Sequence, residues 1–417
     1  MESNDLTSPK PTGFLAAFLL MCMLATTVPA LHNWDMIAYV ALANKWVLNE
    51  AGDDEVHRRT WSQLRAGLSA PQYASLRGDV DGLDVGDLSA NAINYRQAVA
   101  GDPGALMAQL PFYSVKPLYP ALIAVLSVFG VDPVLASTAI AKTCWVLLGC
   151  MLFGLLRRTV TTLPSLGLLG LFMCLPMVRS LGGYSTPDAL CSLLTLSIFY
   201  LGTGPLTNRR RKLMLSAAVL AVTARPDNIL LLTPIALWLL ARDPFRRRDL
   251  LGALALGIVT VGLQSHYSGN YGWSVLFYHS FVGYLPYPGL QAIDLQLGDI
   301  LAVYWAQVQH TRQFWGFLGL AGLIAYMRMR WLGRQDHWFC GLLVIIVFMF
   351  SHWWLFPDQK DRMLVAGYLF VFAACVRFVA DWHKVGGWQF SVSQRNKYAQ
   401  YRIAKGAGRG GESHGEI

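Results

Sequence analysis

Arg225 and Asp227 stand either side of Pro226 inside the apolar run LAVTARPDNILLLTPIALWLLAR, and no other feature restricts the fold as much. Basic clusters bracket that run: Arg209, Arg210, Arg211 and Lys212 before it, Arg242, Arg246, Arg247 and Arg248 after it. Cytoplasmic flanks of membrane helices collect Lys and Arg, so both ends of the run are expected on one side. A run that leaves and returns to the same side is a hairpin. Each arm holds about a dozen to fifteen residues, roughly 18–22 Å at the helical rise, short of a hydrocarbon core about 30 Å thick. The turn is therefore expected below the far surface. A charge at that depth costs about 2.5–3.5 kcal/mol on insertion scales, so Arg225 and Asp227 are expected to line a watery cavity.

Composition agrees with a membrane environment. Hydrophobic residues make up 54% of the 417 positions against 14% charged, which excludes a soluble globule or a disordered chain and leaves a polytopic membrane protein. The net charge of +9 does not point to nucleic acid. Its Lys and Arg lie in short loops and in the tail after Asp381, as expected for loops beside anionic lipid. All seven cysteines lie in apolar runs, with no CxxC and no Cys/His grouping. Neither a disulfide framework nor a zinc site is indicated; buried small hydrophobes are expected.

Residues 13–30 form the first apolar stretch. Val28-Pro29-Ala30 has the look of a leader-peptidase site, but the apolar run is long for a signal sequence, and a retained first helix is expected. Residues 31–116 are polar and carry two acidic clusters (Asp53, Asp54, Glu55; Asp79, Asp81, Asp84, Asp87). They are expected as a long extracytoplasmic loop of short surface helices joined by Gly and Asp turns. Residues 117–130 are apolar but short, which suits an interfacial or re-entrant helix. Further spans are expected at 134–156, 163–178, 190–201, the two hairpin arms, 250–263, 314–327, 339–356 and 363–379, with a polar, aromatic loop at 266–299. The expectation is an all-α polytopic membrane protein of about ten transmembrane helices: one membrane domain over 1–381, then a flexible basic cytoplasmic tail over 382–417. Both termini are then cytoplasmic, and every basic cluster falls on that side. Trp34, Tyr184, Trp353 and Trp354 gather toward the outer ends as an interfacial belt does.

This topology brings several polar residues to the outer face. They are Asp35 just past the first helix, Lys116 before PLYP, Asp188 after GGYSTP, Arg225 and Asp227 at the sunken turn, and Asp358, Lys360, Asp361 and Arg362 in FPDQKDR. The set suits an anionic lipid headgroup with a carboxylate beside it. Each residue also has a plainer reading. Asp188 would serve as a helix cap, Lys116 and Arg362 as snorkelling cations, Asp35 as an ordinary loop acid, and Arg225/Asp227 as a bridge fixing the hairpin. His266 and His279 in the aromatic loop are weak candidates for a metal or a base, and Tyr39 reads as packing.

The order and spacing of these elements resemble the GT-C superfamily of integral-membrane glycosyltransferases. That group uses polyprenyl-phosphate-linked sugars and includes protein O-mannosyltransferases and the aminoarabinose transferases of lipid A. The resemblance rests on Asp35 after the first helix, the long outer loop closed by KPLYPALIAVLSVFG, the STPDAL element, the RPDNILLLTP turn and DRMLVAGY, which together run from Asp35 to about residue 370. It implies Asp35 as general base toward an acceptor hydroxyl. Lys116, with Arg225 or Arg362, would stabilise the departing lipid phosphate, with inversion at the anomeric carbon. Tyr184 and Asp227 would line the cavity. The implied partners are a polyprenyl-phosphate sugar donor, a lipid, glycan or protein acceptor, and the lipids of a bacterial plasma (inner) membrane. No cofactor is firmly implied; a divalent metal is compatible with the resemblance but has no residue grouping to support it.

The chain departs from the family pattern in two places. Met36 follows Asp35 where many relatives carry a second acid, so an acidic partner must come from elsewhere, with Asp188 the candidate. Leu118 follows Pro117 where many carry a second proline. No WWD motif or large C-terminal domain is present, which disfavours the N-glycan branch. The competing reading is a transporter or lipid flippase with Arg225 and Asp227 on its path. Transporters often repeat their broken helices, and this chain has one RPD hairpin without a counterpart.

Overall fold

The computed structural model describes residues 11–79, 90–205, 207–242, 247–290, 293–332, 336–357 and 361–384. Asp81, Asp84, Asp87, Arg246, Asp358, Lys360 and the tail from 385 onward lie outside these residues, as does the side chain of Asp361. Twenty α-helices account for most of the described chain. The first eleven are α1 (Pro11–Thr26), α2 (Asp35–Leu48), α3 (Asp53–Gly67), α4 (Ala70–Arg77), α5 (Ala90–Gly101), α6 (Pro103–Gln109), α7 (Pro111–Ser114), α8 (Leu118–Val128), α9 (Pro133–Arg157), α10 (Thr162–Met173) and α11 (Pro176–Leu181). Then follow α12 (Asp188–Gly202), α13 (Asn208–Ala224), α14 (Ile229–Arg242), α15 (Arg247–Ser268), α16 (Trp273–Phe281), α17 (Leu297–His310), α18 (Arg312–Leu332), α19 (His337–Leu355) and α20 (Val365–Lys384). Among the described residues there is no strand, only an isolated bridge between Leu31 and Tyr184.

The architecture is that of a helical membrane protein. Four helices (α9, α15, α19 and α20) are long and apolar enough to cross a bilayer, or five crossings if the bent pair Pro103–Ser114 and Leu118–Val128 counts as one. Shorter apolar helices occur at Pro11–Thr26, Thr162–Met173, Asp188–Gly202 and Pro226–Leu239. The two halves of that pair meet at a bend of 114°, the geometry of a broken span or of a re-entrant loop.

α9 is the buried mast of the bundle. α1 lies along it, with Met21 packed onto Gly149; small residues let membrane helices approach this closely. On the other side Phe199 of α12 stacks on Phe370 of α20 at 4.4 Å, and Trp338 of α19 stacks on the same ring at 5.5 Å. α15 is the opposite case: Leu251, Leu256, Ile258, Val259 and Leu263 are all exposed. In water such a face would be costly, so hydrocarbon is its natural solvent.

Three expectations need correction. The 31–116 segment is more than surface helices, because α2 is buried from Met36 to Asn44. It nucleates a second core with Val56, Leu64, Tyr95, Val99 and Leu106. The run DMIAYVALANKWVL is too short to span and too apolar to expose, so it collects a shell of helices around itself. Its one buried polar side chain, Asn44, donates to Thr60 (3.0 Å) and Gln63 (2.7 Å). The 163–178 segment divides into α10 and α11, because Pro176 disfavours helical backbone at the residue before it. The 266–299 loop holds α16 and the start of α17, whose outward face (Leu297, Leu301, Trp305) is apolar and exposed.

Candidate functional site

The site begins with a broken helix. Pro226 lacks an N–H and forces the preceding residue out of the α region. Arg225 accordingly sits extended at φ −156°, ψ 122° between α13 and α14. Asn228 bridges the break by donating to the Ala221 carbonyl at 2.9 Å. The break turns the Arg225 side chain into the bundle, where it forms a two-pronged pair with Asp227: Nε to Oδ1 at 3.1 Å and Nη2 to Oδ2 at 2.9 Å. Its remaining Nη1 donates to Asp188 Oδ1 at 2.9 Å.

Asp188 opens α12 and is 3% exposed in its side chain. Thr186 donates to its Oδ2 at 2.7 Å, and Arg362 Nε lies 3.2 Å from the same oxygen. Arg362 also reaches Asp35, with Nη2 3.2 Å from Oδ2, and its guanidinium lies over the Tyr184 ring at 5.0 Å. Asp35, 31% exposed in its side chain, accepts further bonds from Asn33 at 3.0 Å and from the Tyr113 hydroxyl at 3.0 Å. Lys116 is placed beside this group by Tyr113, its Nζ 5.4 Å from the ring centroid. Among the described residues no carboxylate forms an ion pair with Lys116.

A close backbone approach holds the two halves together. The Leu31 amide donates to the Gly183 carbonyl at 2.8 Å, and the Ser185 amide to the Leu31 carbonyl at 3.4 Å. A side chain at Gly183 would collide with the Pro29 carbonyl, so the glycine lets the chain leaving α1 dock on GGYSTP. That docking sets Asp35 opposite Asp188.

Seven of the residues singled out from the sequence (Asp35, Lys116, Tyr184, Asp188, Arg225, Asp227 and Arg362) therefore meet at one end of the bundle. One member was missed. His352 on α19 is buried, and its Nε2 stands 2.7 Å from Asp227 Oδ2. Its signal was present, a titratable ring within an apolar helix, but the neighbouring Trp353 and Trp354 drew the segment into the aromatic belt. Behind the network a narrow cleft runs into the bundle between Cys191, Thr195, Asn228, Ile345, Phe348 and Met363, with Asp188, Arg225, Asp227 and His352 at its polar end.

Three carboxylates face two guanidiniums, and Lys116 alongside brings the formal charges into balance without an ion pair to any of them among the described residues. Among the described residues no three His, Cys, Asp or Glu side chains converge as a metal site requires. His279, the loop histidine, is a packing residue. Its ring stacks on Phe112 at 5.0 Å, and its Nδ1 accepts from the Leu285 amide at 3.1 Å. Burial pushes its pKa down from 6.5 to about 4. His266 lies against Tyr267 at the end of α15, 5.2 Å between ring centroids.

No protein-family model, no curated protein and no solved structure matches this chain.

Proposed function

We propose that the protein is a membrane glycosyltransferase that moves a sugar from a polyprenyl-phosphate donor to an acceptor hydroxyl on the extracytoplasmic face of a bacterial plasma membrane. In this reading the chain crosses about ten times, the shorter apolar helices included, with both termini cytoplasmic. The single observation that carries the proposal is the meeting of Asp35, Arg362, Asp188 and Arg225 in one ion-pair chain with Lys116 beside it.

Asp35 is the most open of the three carboxylates in this network, and it takes the proton from the acceptor hydroxyl as that oxygen attacks the anomeric carbon. The bond from that carbon to the phosphate oxygen breaks, and the lipid phosphate leaves with the electron pair. Lys116, the cation of this group with no carboxylate against it among the described residues, meets the growing negative charge. Arg362 joins acid and phosphate sides from above Tyr184. Arg225 and Asp188 are too deeply engaged with each other to reach a substrate oxygen, and they act by holding Arg362 and the hairpin turn in place. Asp227 and His352 close the floor of the cavity.

The test is to supply purified protein with a panel of polyprenyl-phosphate sugars and follow release of free lipid phosphate, with and without candidate acceptors. Release that depends on Asp35 and on an acceptor is expected. Release at the wild-type rate by Asp35→Asn would remove the general base. Transport of an intact lipid-linked sugar across vesicles without release would favour a flippase.

A further inference from the structure

At the opposite end of the bundle two guanidiniums lie side by side without a carboxylate. Arg158 follows α9. Its Nη1 donates to Thr203 Oγ1 at 2.7 Å, and its Cζ lies 4.1 Å from the centroid of the Tyr200 ring. Arg210, in the first turn of α13, places its Nη1 where a Cβ on Gly204 would have to go, and Arg158 Nη2 is 3.4 Å from that same point. Arg210 Nη1 is buried and has no hydrogen-bond partner. Among the described residues no acid forms an ion pair with either group. The nearest paired cation, Arg377, donates to the Arg158 carbonyl at 2.9 Å and is matched to Asp381. The N-terminus of α13, where Thr207 Oγ1 takes the Arg210 amide at 3.3 Å, adds its positive end to the same place.

Two guanidiniums held together by packing and by a glycine repel one another, and an anion shared between them would relieve that repulsion. A guanidinium fork matches the spacing of two phosphate oxygens. The surroundings indicate where the phosphate comes from. Leu163 at the start of α10 and Leu213 one turn along α13 from Arg210 are both large, apolar and exposed, as side chains beside acyl chains would be. We propose that Arg158, Arg210 and the N-terminus of α13 form a phosphate site, separate from the Asp35 network, that takes the headgroup of an anionic phospholipid. Gly204 is its floor, and the absence of a side chain there lets the two guanidiniums converge.

The test uses the full-length protein in detergent, titrated with phosphatidylglycerol, with phosphatidylcholine and with inorganic phosphate, and bound ligand counted by native mass spectrometry. Wild-type protein is expected to retain phosphatidylglycerol in preference to phosphatidylcholine. Arg210→Gln is expected to weaken that binding about five-fold, the factor given by about 1 kcal/mol per basic residue near anionic lipid. Arg209→Gln removes the same charge from an exposed position on the same turn and should change it little. Gly204→Ala keeps every charge but takes the space of the Arg210 guanidinium, so a comparable loss is expected from a variant that melts like wild type. Equal losses in Arg209→Gln and Arg210→Gln would reduce the effect to general attraction and overturn the site. No preference for phosphatidylglycerol would overturn it as well. Inorganic phosphate displacing the lipid at equal concentration would keep the phosphate site and overturn its lipid source.

Discussion

The bundle carries two buried ion networks, one at each end, and they are built on different rules. At the Arg158 end, Arg328 on α18 is 1% exposed in its side chain. It meets Asp336 with Nη2 to Oδ1 at 3.0 Å and Asp381 at 3.3 Å. Arg377 closes the set on Asp381 at 2.9 Å. Two cations meet two acids, and Asp336 also caps α19 by accepting the Phe339 amide at 2.9 Å. Every helix entering that network is unbroken there. At the Asp35 end the backbone is broken at Arg225, one acid is open, and a lysine stands without an ion pair among the described residues. A closed, neutral network serves as a staple for helix ends. An open one, whose lysine has no ion pair among the described residues, is what a charged substrate would complete.

The sharpest way to break this contrast is Asp35→Asn. Sugar transfer should fall about 10²- to 10⁴-fold, the usual contribution of a general base, while the protein stays folded and abundant in the membrane. Lipid-phosphate release by equal amounts of folded protein measures it, and an unchanged rate would place Asp35 among the staples. Arg328→Ala should do the reverse. Breaking a buried pair by removing one partner costs about 3–5 kcal/mol, so thermal unfolding in detergent should drop well below wild type. Transfer per folded molecule should be unchanged; a selective loss of turnover would mean that the neutral network also serves chemistry. Lys116→Ala should raise the donor KM about ten-fold, the worth of one hydrogen bond to a charged group at about 1.5 kcal/mol. An unaltered KM would leave the phosphate to other cations.

The smallest effect concerns the loop that roofs the open network. Because burial holds His279 near pKa 4 against an ordinary 6.5, the unfolded chain binds the proton first as pH falls. Stability is therefore full above 6.5 and is lost progressively between 6.5 and about 4. The melting temperature should show that slope, and His279→Phe, which keeps the ring against Phe112, should flatten it.

How much was legible beforehand differs between the two ends. At the Asp35 end, Lys116, Asp188, Arg225 and Asp227 announced themselves because each sits next to a proline at the edge of apolar sequence. Side placement from basic loops then grouped residues as distant as Asp35 and Arg362. His352 was overlooked because its neighbours are tryptophans. The staple was not legible at all: Arg328 reads as one more basic residue after a span, and nothing in the spacing of Asp336 and Asp381 says that both fold back upon it. The burial of α2 was missed for a related reason, since a charged neighbourhood hid a short apolar helix. Local pattern tells which residues are out of place in lipid; it does not tell which of them pair.

α19 is fastened to both networks, through Asp336 at its start and His352 near its end. A helix turns about 100° per residue. Adding or deleting one residue anywhere between 337 and 352 would thus swing the imidazole away from Asp227 or tear the cap from the staple. Relatives of this protein should tolerate many exchanges of side chain along α19 while keeping its length fixed to the residue.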